Sequence, residues 1–223
     1  MINFKKLVVF DFETDGVNPH QCNPVQVAAI VINPRTLEIL PDEFNSMMRP
    51  PNIDKDDYLT TDVKKTVDWH AKLRGVTSED ILEQWRNAPD QKFVWEQFVG
   101  FVNKHNPKGT YFTSPIPCGA NIRNFDLVIT KRLNEAYNIK DFFWQLNAID
   151  VMDFTFYWFE NLQDSPRNSK MDTLREYFGM SSDNAHDALQ DVKDTAAILI
   201  KFLRLHRSIA GNVKFEGCFN EED

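Results

Sequence analysis

The 223-residue sequence predicts an α/β fold in which a sheet of mixed strand direction is covered by helices. Three observations point there. The first fifty residues carry short β-type runs, the stretch after residue 90 carries helical periodicity, and strands followed by strands mixed with helices build a layered α/β sheet. The length suits one continuous domain, large enough to bury roughly 70% of its unfolded surface. No repeat, low-complexity tract or Gly/Ser linker divides it, and the eleven prolines are scattered over several loops.

Residues 7–10, Leu-Val-Val-Phe, form a continuous apolar run of the kind found in a buried central strand. Val25, Val27, Ala29 and Val31 then alternate at period two, and a third strand is expected over 37–48. Loops at 16–23 and 33–36 make these three an antiparallel meander. Farther on, Val94, Phe98, Phe101 and Val102 share one helical face, which predicts a helix over 91–104. Val128, Ile129, Leu133 and Ala136 predict another over 126–137, and a further helical stretch covers 149–160. The clearest stripe begins at Leu189 and continues through Val192, Ala196, Leu199 and Leu203, ending among Arg204, His206 and Arg207. Between 109 and 119 a central strand would be convenient, but Pro115 and Pro117 interrupt it, and a bulge or insertion is expected instead. The domain is expected to span 1–210, with 211–223 as an acidic tail.

Hydrophobic residues make up 42% of the chain and charged residues 26%, which excludes disordered and fibrous classes. No apolar run approaches the ~18 residues of a membrane span, so neither a membrane location nor classical secretion is expected. Three widely separated cysteines, Cys22, Cys118 and Cys218, form no CxxC pair and fit a reducing cytoplasm. The net charge of −8 argues against a broad basic surface for nucleic acid. It does not exclude a nuclease, because such enzymes concentrate carboxylates whose bound cations reverse the local sign.

Three short segments carry the chemistry. Asp11-Phe12-Glu13 sets two carboxylates on one face of a strand end, where both can reach one hard cation such as magnesium or manganese. The segment Asn121-Ile122-Arg123-Asn124-Phe125-Asp126 follows a glycine and puts Asp126 in the first turn of a helix. His186-Asp187-Ala188-Leu189-Gln190-Asp191 enters the last helix, with Asp191 at the margin of its buried stripe, where a carboxylate needs a partner. Singly, each has a plainer explanation: a solvated strand end, a residue favourable to the helix dipole, or a cap at Asp187 or Asn184 beside a surface histidine. Together they occur in one chain in the order a single site requires.

The set Asp11, Glu13, Asp126, His186 and Asp191 resembles the DEDDh family of 3′→5′ exonucleases, over about residues 7–205. Pro24-Val25-Gln26-Val27-Ala28-Ala29-Ile30, Gly75-Val76-Thr77-Ser78-Glu79-Asp80 and Asn184-Ala185-His186-Asp187-Ala188 are similar to segments of bacterial exonuclease I. The resemblance implies an RNase H-like fold, with an antiparallel meander joined to parallel strands and flanked by helices. It implies two magnesium ions, replaceable by manganese, held by Asp11, Glu13, Asp126 and Asp191, with His186 taking a proton from the attacking water. It implies a substrate grip through Thr14 and Asn121 and through the rings of Phe12 and Phe125 stacked on terminal bases. Ala120-Asn121 departs from the family's frequent His-Asn, and the chain ends soon after the nuclease region, so DNA-wrapping domains are not expected. The implied reaction removes nucleoside monophosphates from the 3′ ends of single-stranded DNA, with no membrane involved and with a polymerase or repair assembly as partner. An RNA-trimming enzyme is the rival on the same scaffold, and a non-catalytic binding module or a metal-dependent phosphatase are the alternatives from other classes.

Overall fold

The computed structural model describes residues 5–143, 147–160, 162–181 and 187–212. Five strands form one sheet in the order β3-β2-β1-β4-β5: β1 Leu7–Thr14, β2 Pro24–Ile32, β3 Ile39–Met47, β4 Ile116–Gly119 and β5 Ile149–Asp150. The first three are antiparallel neighbours, whereas β4 and β5 join in parallel. The helices are α1 Thr61–Arg74, α2 Ser78–Arg86, α3 Gln91–Lys104, α4 Asp126–Tyr137, α5 Val151–Phe159, α6 Met171–Phe178 and α7 Ala188–Ala210. This is the mixed sheet the sequence predicts. Among the described residues no helix is long and apolar enough to cross a membrane.

Strand alternation sorts β1 between two cores. Val8, Phe10 and Phe12 point to the layer of α3 and α4, where they meet Trp95, Phe98, Ile129 and Leu133. Phe10 stacks on Phe143 at 5.1 Å and Trp95 on Phe98 at 5.2 Å between ring centroids. Leu7 and Val9 point the other way, to a core that includes Leu174 of α6 and Val192, Ala196 and Leu199 of α7. All nine residues of β2 are buried, as expected of a strand covered on both faces, while β3 alternates and carries Asp42 and Glu43 at the sheet edge.

The proline-interrupted segment corrects an expectation. Instead of a bulge or insertion, residues 116–119 form β4, an interior strand that pairs Val8 with Pro117. The Ile116 N–H donates to the Lys6 carbonyl of the neighbouring chain segment at 2.8 Å. Strand alternation therefore turns the imide nitrogen of Pro117 toward β5, whose pairing begins only at Cys118. No ladder donor is lost. The expected helix over 149–160 also changes at its start: Ile149 and Asp150 belong to β5, and Asp150 caps α5 by accepting the Met152 N–H.

Candidate active site

The odd-numbered face of β1 is apolar at Leu7 and Val9 and then turns acidic at Asp11 and Glu13. That face looks toward α7, so both carboxylates stand beside its first turn. Asp187 caps α7, its Oδ1 accepting the N–H groups of Leu189 and Gln190 at 3.1 and 3.2 Å. Gln26, paired with Glu13 across β1 and β2, donates to the other Asp187 oxygen at 3.4 Å and ties this helix start to the sheet. One turn along, Asp191 completes a trio: Asp11, Glu13 and Asp191 each offer a carboxylate oxygen, and these atoms lie within 4.8 Å of one another.

Asp126 arrives from the opposite layer. Strand β4 pairs with β1 only through Leu7, Val8 and Val9, so among the described residues the far half of β1 has no strand on that side. The Phe12 N–H there is taken by Asp126, whose Oδ1 accepts it at 3.1 Å, and the Asp126 side chain sits in α4 with 1% of the residue exposed. The turn leading to it is closely fitted. A Cβ on Gly119 would lie 3.1 Å from the Phe10 carbonyl and 3.0 Å from Ile122, and Asn121 takes a left-handed φ of 57° while its N–H donates to Asp150. At the other side of the strand end, buried His70 of α1 brings Nε2 to 3.3 Å from the Thr14 carbonyl.

Burial and crowding act together on these acids. Burial first, and then the Asp191 charge, push Asp11 up to about 8, with Arg175 opposing. Burial, followed by Asp11 and Asp191, pushes Glu13 up to about 9, with Arg74 opposing and Asp187 adding to the rise. Asp126 is also raised well above the ordinary carboxylate range, by burial and by Asp11, against the hydrogen bond from Phe12. Arg175 and Arg74 offset only part of this negative charge, and a hard divalent cation bound through oxygen ligands of this type would offset more of it. The donor set therefore fits magnesium or manganese.

The sequence-predicted residues fall into three groups. Asp11, Glu13 and Asp191 converge, with Asp126 beside them close enough to feel the Asp11 charge. His186 lies outside the described residues. Of the proposed substrate contacts, Asn121 is exposed, Phe125 is half-buried at the start of α4, and Thr14 is buried with its hydroxyl donating to the Gly16 carbonyl at 2.6 Å. Phe12 is a correction. Its ring is 4% exposed and lies in the core 5.9 Å from Phe10 and 6.0 Å from Trp95, so it offers no face to a base.

Arg175 of α6 escapes sequence reading. Its side chain is 2% exposed and its guanidinium reaches Asp191 and Asp194 at 2.6 Å each and Asp172 at 3.2 Å. Burial works against its charge, but the Asp194 hydrogen bond and the three carboxylates more than offset it and hold the guanidinium protonated. The only local signal is an acid three residues earlier, which many solvated arginines share.

Residues 8–199 match the RNase_T exonuclease family model. The chain belongs to this family, the RNase T or DEDD group of 3′→5′ exonucleases. It is similar to a PolC-type DNA polymerase III from Caldanaerobacter subterraneus subsp. tengcongensis, 24% identical over 198 residues that cover 89% of this chain and 12% of that protein. Among solved structures it is similar to E. coli exonuclease I in complex with a dT13 oligonucleotide, with a TM-score of 0.69 and 18% identity over 93% of this chain and 43% of that one. It is also similar to the zinc-bound form of the E. coli exonuclease I complex with single-stranded DNA, with a TM-score of 0.65 and 20% identity over 91% and 43% of the two chains. The fold is thus the RNase H-like fold of exonuclease I, and the chain spans less than half the length of each of these proteins.

Proposed function

We propose that this protein is a divalent-metal-dependent 3′→5′ exonuclease that releases nucleoside monophosphates from single-stranded DNA. The observation that carries the metal dependence is the convergence of Asp11, Glu13 and Asp191 within 4.8 Å, on a face that is otherwise apolar core. These three residues, with Asp126, would hold two magnesium ions or manganese in their place. When bound, such ions neutralise charge on the scissile phosphate and lower the pKa of water. An imidazole with the ordinary histidine pKa of ~6.5 suits a base near neutral pH, and His186 takes the proton of the attacking water at a ring nitrogen. The water oxygen bonds to phosphorus, the phosphorus–O3′ bond breaks, and the shortened strand keeps O3′, which takes up a proton from solvent to become a 3′ hydroxyl, while the terminal nucleotide leaves with its 5′ phosphate.

Asn121 and Phe125, on the turn that delivers Asp126, are the residues proposed to meet the terminal nucleotide, with the Thr14 backbone beside them. The single-stranded DNA complexes of similar structures support DNA as the polymer, and the polymerase relative supports a replication or repair partner. Residues 1–210 are read as the exonuclease domain and 211–223 as an acidic tail. Cys22 and Cys118, both buried free thiols, suit a reducing cytoplasm.

The test is a time course on 5′-labelled DNA and RNA of one sequence, with magnesium or chelator, beside His186→Ala. The expected result is a ladder shortening from the 3′ end of DNA, absent with chelator and slowed roughly 10²–10⁴-fold in the variant. Faster shortening of RNA would overturn the substrate, and release of phosphate from p-nitrophenyl phosphate without polymer trimming would overturn the reaction.

A further inference from the structure

One member of the trio, Asp191, is held by the buried guanidinium of Arg175. Arg175 donates from Nη2 to Asp191 Oδ1 and from Nε to Asp194 Oδ2, both at 2.6 Å, and from Nη1 to Asp172 Oδ1 at 3.2 Å. Asp194 is itself steadied by Gln190, which donates to its second oxygen at 2.8 Å. The guanidinium thus joins α6 to the first two turns of α7 at the level of Asp191. A planar fork meets several carboxylates on separate edges at fixed angles, which a lysine ammonium cannot reproduce. We propose that Arg175 is a positioning residue for the metal site: by engaging one oxygen of Asp191 it holds that carboxylate in one orientation toward Asp11 and Glu13.

Asp191 needs such a partner. It stands within reach of two other acids, whose carboxylates repel its own and favour rotation away. Without Arg175 this carboxylate loses the donor at 2.6 Å that fixes one of its oxygens. Partners that orient a ligating side chain typically contribute 10- to 100-fold in metal affinity. This inference rests on the proposed metal site, and its test separates the two.

Mn2+ is titrated into the full chain by calorimetry, for wild type, Asp11→Asn, Arg175→Lys and Asp194→Asn, with melting followed in chelator. Wild-type binding that Asp11→Asn abolishes establishes the site; no wild-type binding refutes the site and this role with it. Arg175→Lys keeps the charge and removes the fork, so its Mn2+ dissociation constant is expected to rise about tenfold. A rise of threefold or more, with activity recovered at higher Mn2+, supports positioning. A smaller change or tighter binding refutes it while leaving the metal site standing, even if melting falls, because a merely structural ion pair lowers melting without moving metal affinity. If Arg175→Lys does not fold, Asp194→Asn, which loosens the same guanidinium, decides by the same threefold criterion.

Discussion

Replacing Asp11 by asparagine should stabilise the protein when no metal is present. The carboxylate is raised to about 8 by burial and by Asp191, while in the unfolded chain it titrates near its ordinary 3.8. The folded form therefore keeps protons that the unfolded chain sheds, so stability is full below about pH 4 and declines as pH rises toward 8. Glu13, raised to about 9, extends the decline. Each unit of displacement corresponds to about 1.4 kcal/mol, but the acids share one repulsion, so removing a single charge at pH 8 should return on the order of 2–4 kcal/mol. For a chain of this size that is a rise in melting temperature of roughly 5–10 °C. The assay is thermal melting of wild type and Asp11→Asn from pH 5 to 9, in chelator and in millimolar Mg2+. In chelator the gain should be large at pH 8 and small at pH 5; in Mg2+ the wild type should catch up or overtake, because only it retains the full ligand set. A variant that melts lower than wild type in chelator at pH 8, or a gain independent of pH, would refute the reasoning.

Two further substitutions separate chemistry from scaffolding. Asp126→Asn keeps an amide oxygen to accept the Phe12 N–H, so melting should move by no more than a few degrees while trimming falls at least ~100-fold; retained trimming would remove Asp126 from the site. Gly119→Ala sets a methyl 3.1 Å from the Phe10 carbonyl and 3.0 Å from Ile122, and backbone at that distance cannot yield cheaply. A loss of about 1–3 kcal/mol is expected, read as a lower denaturation midpoint, and an unchanged midpoint would show that the turn has room.

Much of the molecule is legible from its sequence because periodicity and burial agree there. The helices over 91–104 and 126–137 coincide with α3 and α4, since Val94, Phe98, Ile129 and Leu133 make their stripes from core contacts. Three helices were not anticipated. In α1 only Val67, His70 and Ala71 are buried, too few to mark a face, and α2 and α6, at 9 and 8 residues, are too short for a stripe to repeat over several turns. β4 is hidden by a rule applied without its geometry: Pro117 forfeits a donor only where a partner strand waits on that side. At the site, the three motifs mark Asp11, Glu13 and Asp191, which the fold brings together, and Asp126, which feels the Asp11 charge, because carboxylates at strand and helix ends are visible in order and spacing. Arg175 is not visible in this way, because its role depends on α6 lying against α7, a tertiary fact with no local trace. Phe12 misleads for the converse reason: it neighbours the ligands in sequence, yet strand alternation sends its ring to the other core.

The most direct test of the metal-dependent site is an anomalous difference map from crystals of the protein grown with Mn2+. Peaks bounded by Asp11, Glu13 and Asp191, with Asp126 adjacent, are the expected result. Manganese bound elsewhere on the chain, or a trio that stays free of metal at millimolar Mn2+ and pH 8, would contradict it.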